Sequence, residues 1–313
     1  MELDTLVRAL RCKWPVAYAE VSCNNDLHAV TLKEHLVFTA QLIVELFSDR
    51  LNYLERRYKI AEDRIGSVRE IAYLTGLLHD LGKASVYYMN SFARGLIHIH
   101  GKHHETCQKK KLSFRYHEHI APLIINFTIH NKYSNIRDAK KDFMVIDIYR
   151  TVSRVIARHH ATMTGRHPSE LQNCNENIMK ILKGMCDQGS KVNWLLDELK
   201  RECSSCLCKK FLEEIKSNLV IICDKPNGIP VDLGVSVTFD MVNYKKINEY
   251  DSYRIVSTLA GFLIVADNLV ASYCEKRVSD DETTPAYVEI WKRELREKLG
   301  KLEGKILVER CQW

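Results

Sequence analysis

The stretch SVREIAYLTGLLHDLGKAS, residues 67–85, decides the fold. Ser67 and Glu70 stand at capping-box spacing. Ile71, Leu74, Leu78 and Leu81 then recur at helical spacing, and Gly82 is a stop signal. The pattern predicts an amphipathic helix with His79 and Asp80 in its last turn. A helix C-terminus carries partial negative charge, so a carboxylate placed there calls for a compensating cation.

Working outward, the same periodicity predicts five more helices. Thr31 and Glu34 form another capping box, ahead of Leu32, Leu36, Thr39, Ile43 and Phe47 on one stripe. A third helix is expected to begin near His117–Pro122. A fourth, about 142–160, carries Val145, Ile148, Val152 and Val155 on one face. A fifth, about 252–275, carries Val256, Leu259, Leu263 and Val270, and a sixth, about 285–300, is amphipathic and charged. Leu219–Cys223, a turn at Pro226-Asn227-Gly228, and Val231–Phe239 read as a β-hairpin. The expected fold is mainly α: a helical bundle over about 30–160 and 250–275, with the small hairpin in a subregion inserted at about 161–250. No internal repeat or linker divides residues 1–313, so a single domain is expected.

Composition agrees. Gly 13 and Pro 6 are few for 313 residues, which argues against collagen, low complexity and strand-and-turn sandwiches. No run reaches the roughly 18 apolar residues of a membrane span, and the start MELDTLVRALRCKWP lacks a signal-peptide core. A cytoplasmic protein with no membrane partner is the expectation. Lys+Arg 46 against Asp+Glu 40 leaves +6, a mildly basic balance that permits a phosphate-bearing partner. Eleven Cys at irregular spacing read mostly as buried or surface thiols. Cys203, Cys206 and Cys208 also leave open a zinc site completed by Cys186 or Cys223, or a disulfide.

The informative residues are ionisable ones on apolar faces. His35 lies beside the Leu32/Leu36/Thr39 stripe, and His159, followed by His160, continues the Val152/Val155 stripe. Asp267 is four residues after Leu263, on the buried face of the fifth helix. Taken singly, each has a structural reading: a core histidine bonded to a carbonyl, or a helix–helix salt bridge. Taken together, two buried carboxylates and several imidazoles are best satisfied by a divalent metal, because an ionised Asp buried alone is too costly.

The ordered set His35, His79-Asp80, His117, His159-His160, Asp267 resembles the HD phosphohydrolase superfamily. LTGLLHDLGKAS (74–85) is similar to its signature helix. YHEHIAP (116–122) and ARHHA (157–161) are similar to the stand-alone HD nuclease subunit of type I CRISPR interference, over about residues 30–275. The resemblance implies an HD-domain bundle with two divalent metals, of which Mn, Fe, Co, Ni, Zn and Mg are candidates. It implies His35, His79, Asp80 and Asp267 around the first ion, and Asp80, His117, His159 and His160 around the second. Asp80 would bridge, and Lys83 would approach the scissile phosphate. His117 is preferred over His119 and His103-His104 because its HE dipeptide matches the family pattern. The implied reaction is in-line hydroxide attack on a phosphodiester, with no protein nucleophile.

The implied substrate is single-stranded DNA, and the implied partners are a separate CRISPR helicase subunit and an RNA-guided surveillance complex. Segment 94–116 reads as a basic loop over the site, with Lys102, Lys109, Lys110, Lys111 and Arg115 as phosphate contacts. Phe92, Phe114 and Tyr116 are candidates for base stacking. A phosphohydrolase acting on a small nucleotide, such as a cyclic nucleotide or a deoxynucleoside triphosphate, is the alternative, and a non-catalytic scaffold that keeps an HD fold is the third reading.

Overall fold

The computed structural model describes residues 3–22, 26–57, 67–100, 110–133, 143–159, 175–225 and 247–274. In chain order they form α1 (Leu3–Lys13), β1 (Val16–Val21), β2 (Leu27–Thr31), α2 (Leu32–Leu46), α3 (Ser48–Arg57) and α4 (Val68–Leu78). A 3-10 turn (Leu81–Ala84), α5 (Val86–His100), β3 (Lys110–Lys111), a second 3-10 turn (His117–His119) and α6 (Ile120–Tyr133) follow. The rest are α7 (Phe143–Arg158), α8 (Asn175–Cys186), α9 (Gly189–Glu202), α10 (Cys206–Asp224) and α11 (Ile247–Cys274). The fold is mainly α with a small β element.

Helix α4 is the hub. It packs on α2, α3, α7 and α11, and Ile71, Leu74, Leu77 and Leu78 are all fully buried. Ser67 caps it by accepting from the Glu70 N–H. The Glu70 carboxylate does not reach back to complete the predicted box. It bonds instead to Ser205 Oγ and the Cys208 N–H, capping the start of α10. At the head of α2, Thr31 Oγ1 accepts from the Glu34 N–H, and the Thr31 hydroxyl also meets the Glu34 carboxylate. Gly76 of α4 explains the α2–α4 approach. A Cβ built there would lie 2.4 Å from the Ala40 Cα, so only glycine lets the backbones come this close.

The β element lies elsewhere than the sequence predicts. Val16–Val21 and Leu27–Thr31 form an antiparallel hairpin, with Lys110–Lys111 added on the other side of β1. All six residues of β1 are buried, so the strand shows no polar–apolar alternation. Trp14 Nε1 donates to the Ala84 carbonyl at 3.1 Å, which seats this N-terminal unit beneath the first 3-10 turn.

Leu219–Cys223 is not a strand. It is the last part of α10, where Leu212, Ile215, Leu219 and Ile222 continue one buried helical stripe. Val220 and Ile221 are exposed on its other side, and their β-branched side chains gave the strand signal. Val231–Phe239 and the expected helix at about 285–300 lie outside the described residues. Of the segment 161–250, the described part forms helices. Gly184 of α8 fits against Ser85, where a Cβ would lie 2.4 Å from Ser85 Oγ, and Ser85 Oγ donates to the Ile181 carbonyl at 2.6 Å. This subregion therefore buttresses the turn that follows Asp80. Cys186 is disulfide-bonded to Cys223, and Cys203 to Cys208. Those pairings replace the thiol and zinc readings of these four residues, while Cys206 and Cys12 are exposed thiols. Arg254–Ser272 of α11 is long and apolar enough to cross a membrane, contrary to the reading of the sequence, yet half of that window is buried inside the protein. Its buried face packs on α2, α4 and α7, as a core helix does.

Candidate metal centre

Three histidines present the same atom in the same way. His79 Nδ1 lies 2.9 Å from the Gly76 carbonyl, and His117 Nδ1 and His159 Nδ1 meet the carbonyls of Phe114 and Ile156. A carbonyl only accepts, so each Nδ1 carries the proton. In the neutral ring this leaves the Nε2 lone pair facing inward, the arrangement that orients metal-ligating imidazoles.

Those Nε2 atoms converge on Asp80. His35 Nε2 lies 3.2 Å from Asp80 Oδ2 and 3.1 Å from Asp267 Oδ1. His79 Nε2 lies 3.3 Å and 3.5 Å from the same two oxygens. On the other side of the carboxylate, His117 Nε2 is 2.8 Å and His159 Nε2 3.6 Å from Asp80 Oδ1. Lys83 Nζ is 2.7 Å from Asp80 Oδ2. The donors fall into two groups, His35/His79/Asp80/Asp267 and Asp80/His117/His159, each with its ligand atoms within 4.8 Å of one another. Asp80 belongs to both, one oxygen turned to each.

Helix ends and glycines set this geometry. Asp80 is not in the last helical turn. α4 ends at Leu78, His79 caps it, and Asp80 leaves with φ −106° and ψ 15°, in the sparsely used bridge region. Gly82 then lets the second 3-10 turn close on the first. A Cβ there would lie 2.4 Å from the His117 carbonyl oxygen. Tyr116, just before His117, has a φ of 68°, a left-handed backbone uncommon outside glycine. It turns the chain so that His117 reaches Asp80 while its Nδ1 meets the Phe114 carbonyl. Neither feature is visible as a ligand motif.

Electrostatics follow from the packing. Asp80, His35, His79, His117 and His159 are at most 3% exposed, and only the Asp267 and Lys83 side chains, at 14% and 13%, open toward solvent. Burial alone would raise the Asp80 carboxyl, but the charges of His79, Lys83 and His117 outweigh it and hold it well below the usual range. Burial is likewise overcome at Asp267 by hydrogen bonds from His35 and His79. Burial disfavours charged imidazoles too, yet the Asp80 charge and the Asp267 hydrogen bond push His79 up to about 10. His35, equally buried, is raised by the nearby carboxylates of Asp267 and Asp80. Neither Asp80 oxygen has a hydrogen bond of good geometry, although nitrogens crowd around both. A buried carboxylate surrounded by nitrogens in this way fits a bound cation better than it fits a hydrogen-bond network.

His35, His79, Asp80, His117, His159, Asp267 and Lys83 are thus brought together, while His160, Lys102 and Lys109 lie outside the described residues. His119 belongs to neither donor group; its Nε2 is 3.9 Å from Glu118 Oε1. Glu118 is a buried carboxylate that sequence reasoning missed, with Oε2 3.4 Å from His117 Nδ1. The expected loop 94–116 is partly helix and strand. Residues up to His100 belong to α5, and Lys110 and Lys111 form β3. Lys111 Nζ lies over the Tyr18 ring at 4.9 Å, and Arg115 is exposed. Phe92 is buried in the core and offers no face for stacking. Phe114 packs on Tyr88, with Lys83 Nζ 5.1 Å from its ring centre, so it shapes the site wall instead. Tyr116 is half-buried.

Fold and side chains define a mainly α protein whose buried His/Asp cluster can hold metal. Comparison of the chain with protein-family models, with curated proteins and with solved structures finds no match in any of the three.

Proposed function

We propose that the chain is a metal-dependent phosphodiesterase, and specifically an HD-type nuclease acting on single-stranded DNA. The observation that carries this reading is the shared carboxylate of Asp80, flanked by one imidazole-and-carboxylate group on each side. His35, His79, Asp80 and Asp267 would hold one divalent ion, and Asp80, His117 and His159 a second. Ions so held supply an activated water and stabilise charge building on the phosphoryl oxygens. The chain's own residues do the rest. The carbonyls of Gly76, Phe114 and Ile156 hold three imidazoles in the ligating tautomer. Lys83, kept near Asp80 and braced by Phe114, is placed to neutralise a non-bridging phosphate oxygen. No Ser or Cys nucleophile is required.

The resemblance of residues 30–275 to the stand-alone CRISPR nuclease subunit supports a role in antiviral interference, with a helicase and an RNA-guided complex as partners. The depth of the cluster favours a second reading, hydrolysis of a small nucleotide, because only Asp267 and Lys83 face the opening. One panel separates the two. Purified protein is incubated with Mn, Co, Ni or Mg and with labelled single-stranded DNA, duplex DNA, RNA, cyclic nucleotides and deoxynucleoside triphosphates. Metal-dependent cleavage of the single strand is expected. Turnover of nucleotides alone transfers the function to the second reading, and no metal-dependent hydrolysis of any of them removes both.

A further inference from the structure

Between Ile148 and His159, only three residues of α7 and its end are not buried, and all three are arginines: Arg150, Arg154 and Arg158. They recur every four residues, so they lie on one side of the helix. Successive guanidinium positions rise by about 6 Å and the run spans about 12 Å, the order of the separation between phosphates along a stretched strand. Charge placed at every open position of a helix is not needed for packing, which Val152, Val155 and Ile156 already provide.

The run ends at the metal centre. His159, the next residue after Arg158, brings its Nε2 to within 3.6 Å of Asp80 Oδ1. Arg158 Nη1 donates to Ser257 Oγ of α11 at 2.5 Å, which fixes its guanidinium at the α7–α11 seam. On α11, Arg254 is exposed one turn before Ser257. Gly261 is exposed one turn after it, and a Cβ there would meet nothing within 4 Å. The seam thus combines cationic groups with the Ser257 hydroxyl and an open position at Gly261. Guanidinium binds phosphate in a fork and is weakly hydrated, which suits a backbone track better than ammonium does.

We infer that Arg150, Arg154 and Arg158, flanked by Arg254, form a track that leads the phosphodiester backbone of a single nucleic-acid strand along α7 to the metal centre. This rests on the phosphodiesterase reading and assigns its substrate path to α7 and α11.

The test is fluorescence anisotropy with fluorescein-labelled oligothymidylate and oligouridylate in EDTA, at several salt concentrations. Three phosphate contacts contribute a slope of about −2 in log K against log salt, and a loss of about 20-fold between 50 and 200 mM. Arg150→Gln/Arg154→Gln is expected to weaken binding and flatten the slope by about 1.4, equally for both oligonucleotides. Arg150→Lys/Arg154→Lys is expected to restore the slope. Hydrolysis of bis(p-nitrophenyl) phosphate with Mn, which needs no track, should survive in both variants. Unchanged affinity and slope in the glutamine variant overturn the track, as does a slope lost in the lysine variant. If wild-type protein fails to hydrolyse the diester but the glutamine variant flattens the slope, the phosphodiesterase reading falls and the track stands.

Discussion

Gly82→Ala is a one-methyl test of how the two halves of the centre are held together. The added Cβ would sit 2.4 Å from the His117 carbonyl oxygen and 3.0 Å from its carbonyl carbon and Cα. Ordinary contact begins near 3.4 Å, so the two turns must part by roughly 1 Å, and backbone does not yield as a flexible side chain does. The need at this position is space, not a left-handed backbone. His117 Nε2 starts 2.8 Å from Asp80 Oδ1, so a shift of that size undoes the convergence. Overpacking of this kind costs about 1–3 kcal/mol, a Tm loss of a few degrees. Affinity for an ion between Asp80, His117 and His159 should fall about 10–100-fold, and diester hydrolysis about 100-fold. The His35/His79/Asp267 side is seated by α2, α4 and α11, away from the clash, and should keep its ion. Metal content after gel filtration, Tm and hydrolysis of bis(p-nitrophenyl) phosphate are the measurements. A variant with native Tm, undiminished metal content and normal turnover would refute the claim that Gly82 sets the Asp80–His117 approach.

Other substitutions probe the rest of the centre. Asp80→Asn removes the anion shared by both donor groups, so metal content should fall on both sides and hydrolysis by at least about 100-fold; turnover near wild type would count against bridging. Asp267→Asn should lower metal content while leaving the His117 side loaded, and unchanged stoichiometry would exclude it as a ligand. In metal-free protein His79 titrates at about 10, above its ordinary 6.5. Its stabilising contribution is therefore complete below pH 6.5 and lost as pH rises through about 10. Asp80 and Asp267, held below their ordinary 3.8, contribute above that pH and lose it as acid drives pH through their lowered values. Metal-free Tm should thus decline from pH 7 to 10. Ligation needs neutral imidazole, so the Tm gain from added Mn should grow over the same range; a gain that does not vary with pH would contradict proton displacement.

What was legible in the sequence is what repeats locally. The stripes Leu32/Leu36/Ile43, Ile71/Leu74/Leu78 and Leu259/Leu263/Val270 are all buried as their spacing predicts. His35, His79, Asp80, His159 and Asp267 stood out because a charged or titratable group on an apolar face violates the pattern that places everything else. What was illegible depends on contacts distant in sequence. The close approach of Gly76 to Ala40 and of Gly82 to His117 involves pairs separated by dozens of residues, and a lone glycine in a helical pattern looks the same whether or not a backbone crosses it. β1 hides because it is buried on both faces. Leu219–Cys223 misleads for the opposite reason: an apolar run of five, three of them β-branched, mimics a strand, and only tertiary packing makes it helix. Arg150, Arg154 and Arg158 carry no signal alone, and become conspicuous only when their neighbours prove to be buried.

The geometry also explains why Asp80, and not Asp267, is the residue on which the site turns. Asp267 projects from the C-terminal part of α11 and belongs to the His35/His79 group alone. Asp80 lies just past a helix end, where the backbone has left α geometry, so its carboxylate occupies the gap between two separately built pairs of imidazoles. One pair comes from α2 and the cap of α4, and the other from the second 3-10 turn and the end of α7. Among the described donors it alone belongs to both groups. Four imidazoles and a lysine around the Asp80 and Asp267 carboxylates then form two donor groups that share one anion. When metal is absent, the carboxylates of Asp80 and Asp267 push the His35 and His79 rings upward despite full burial, so protons there can take the cationic role on one side. A site that draws protons this strongly into a dry interior has the charge balance to draw divalent cations in their place.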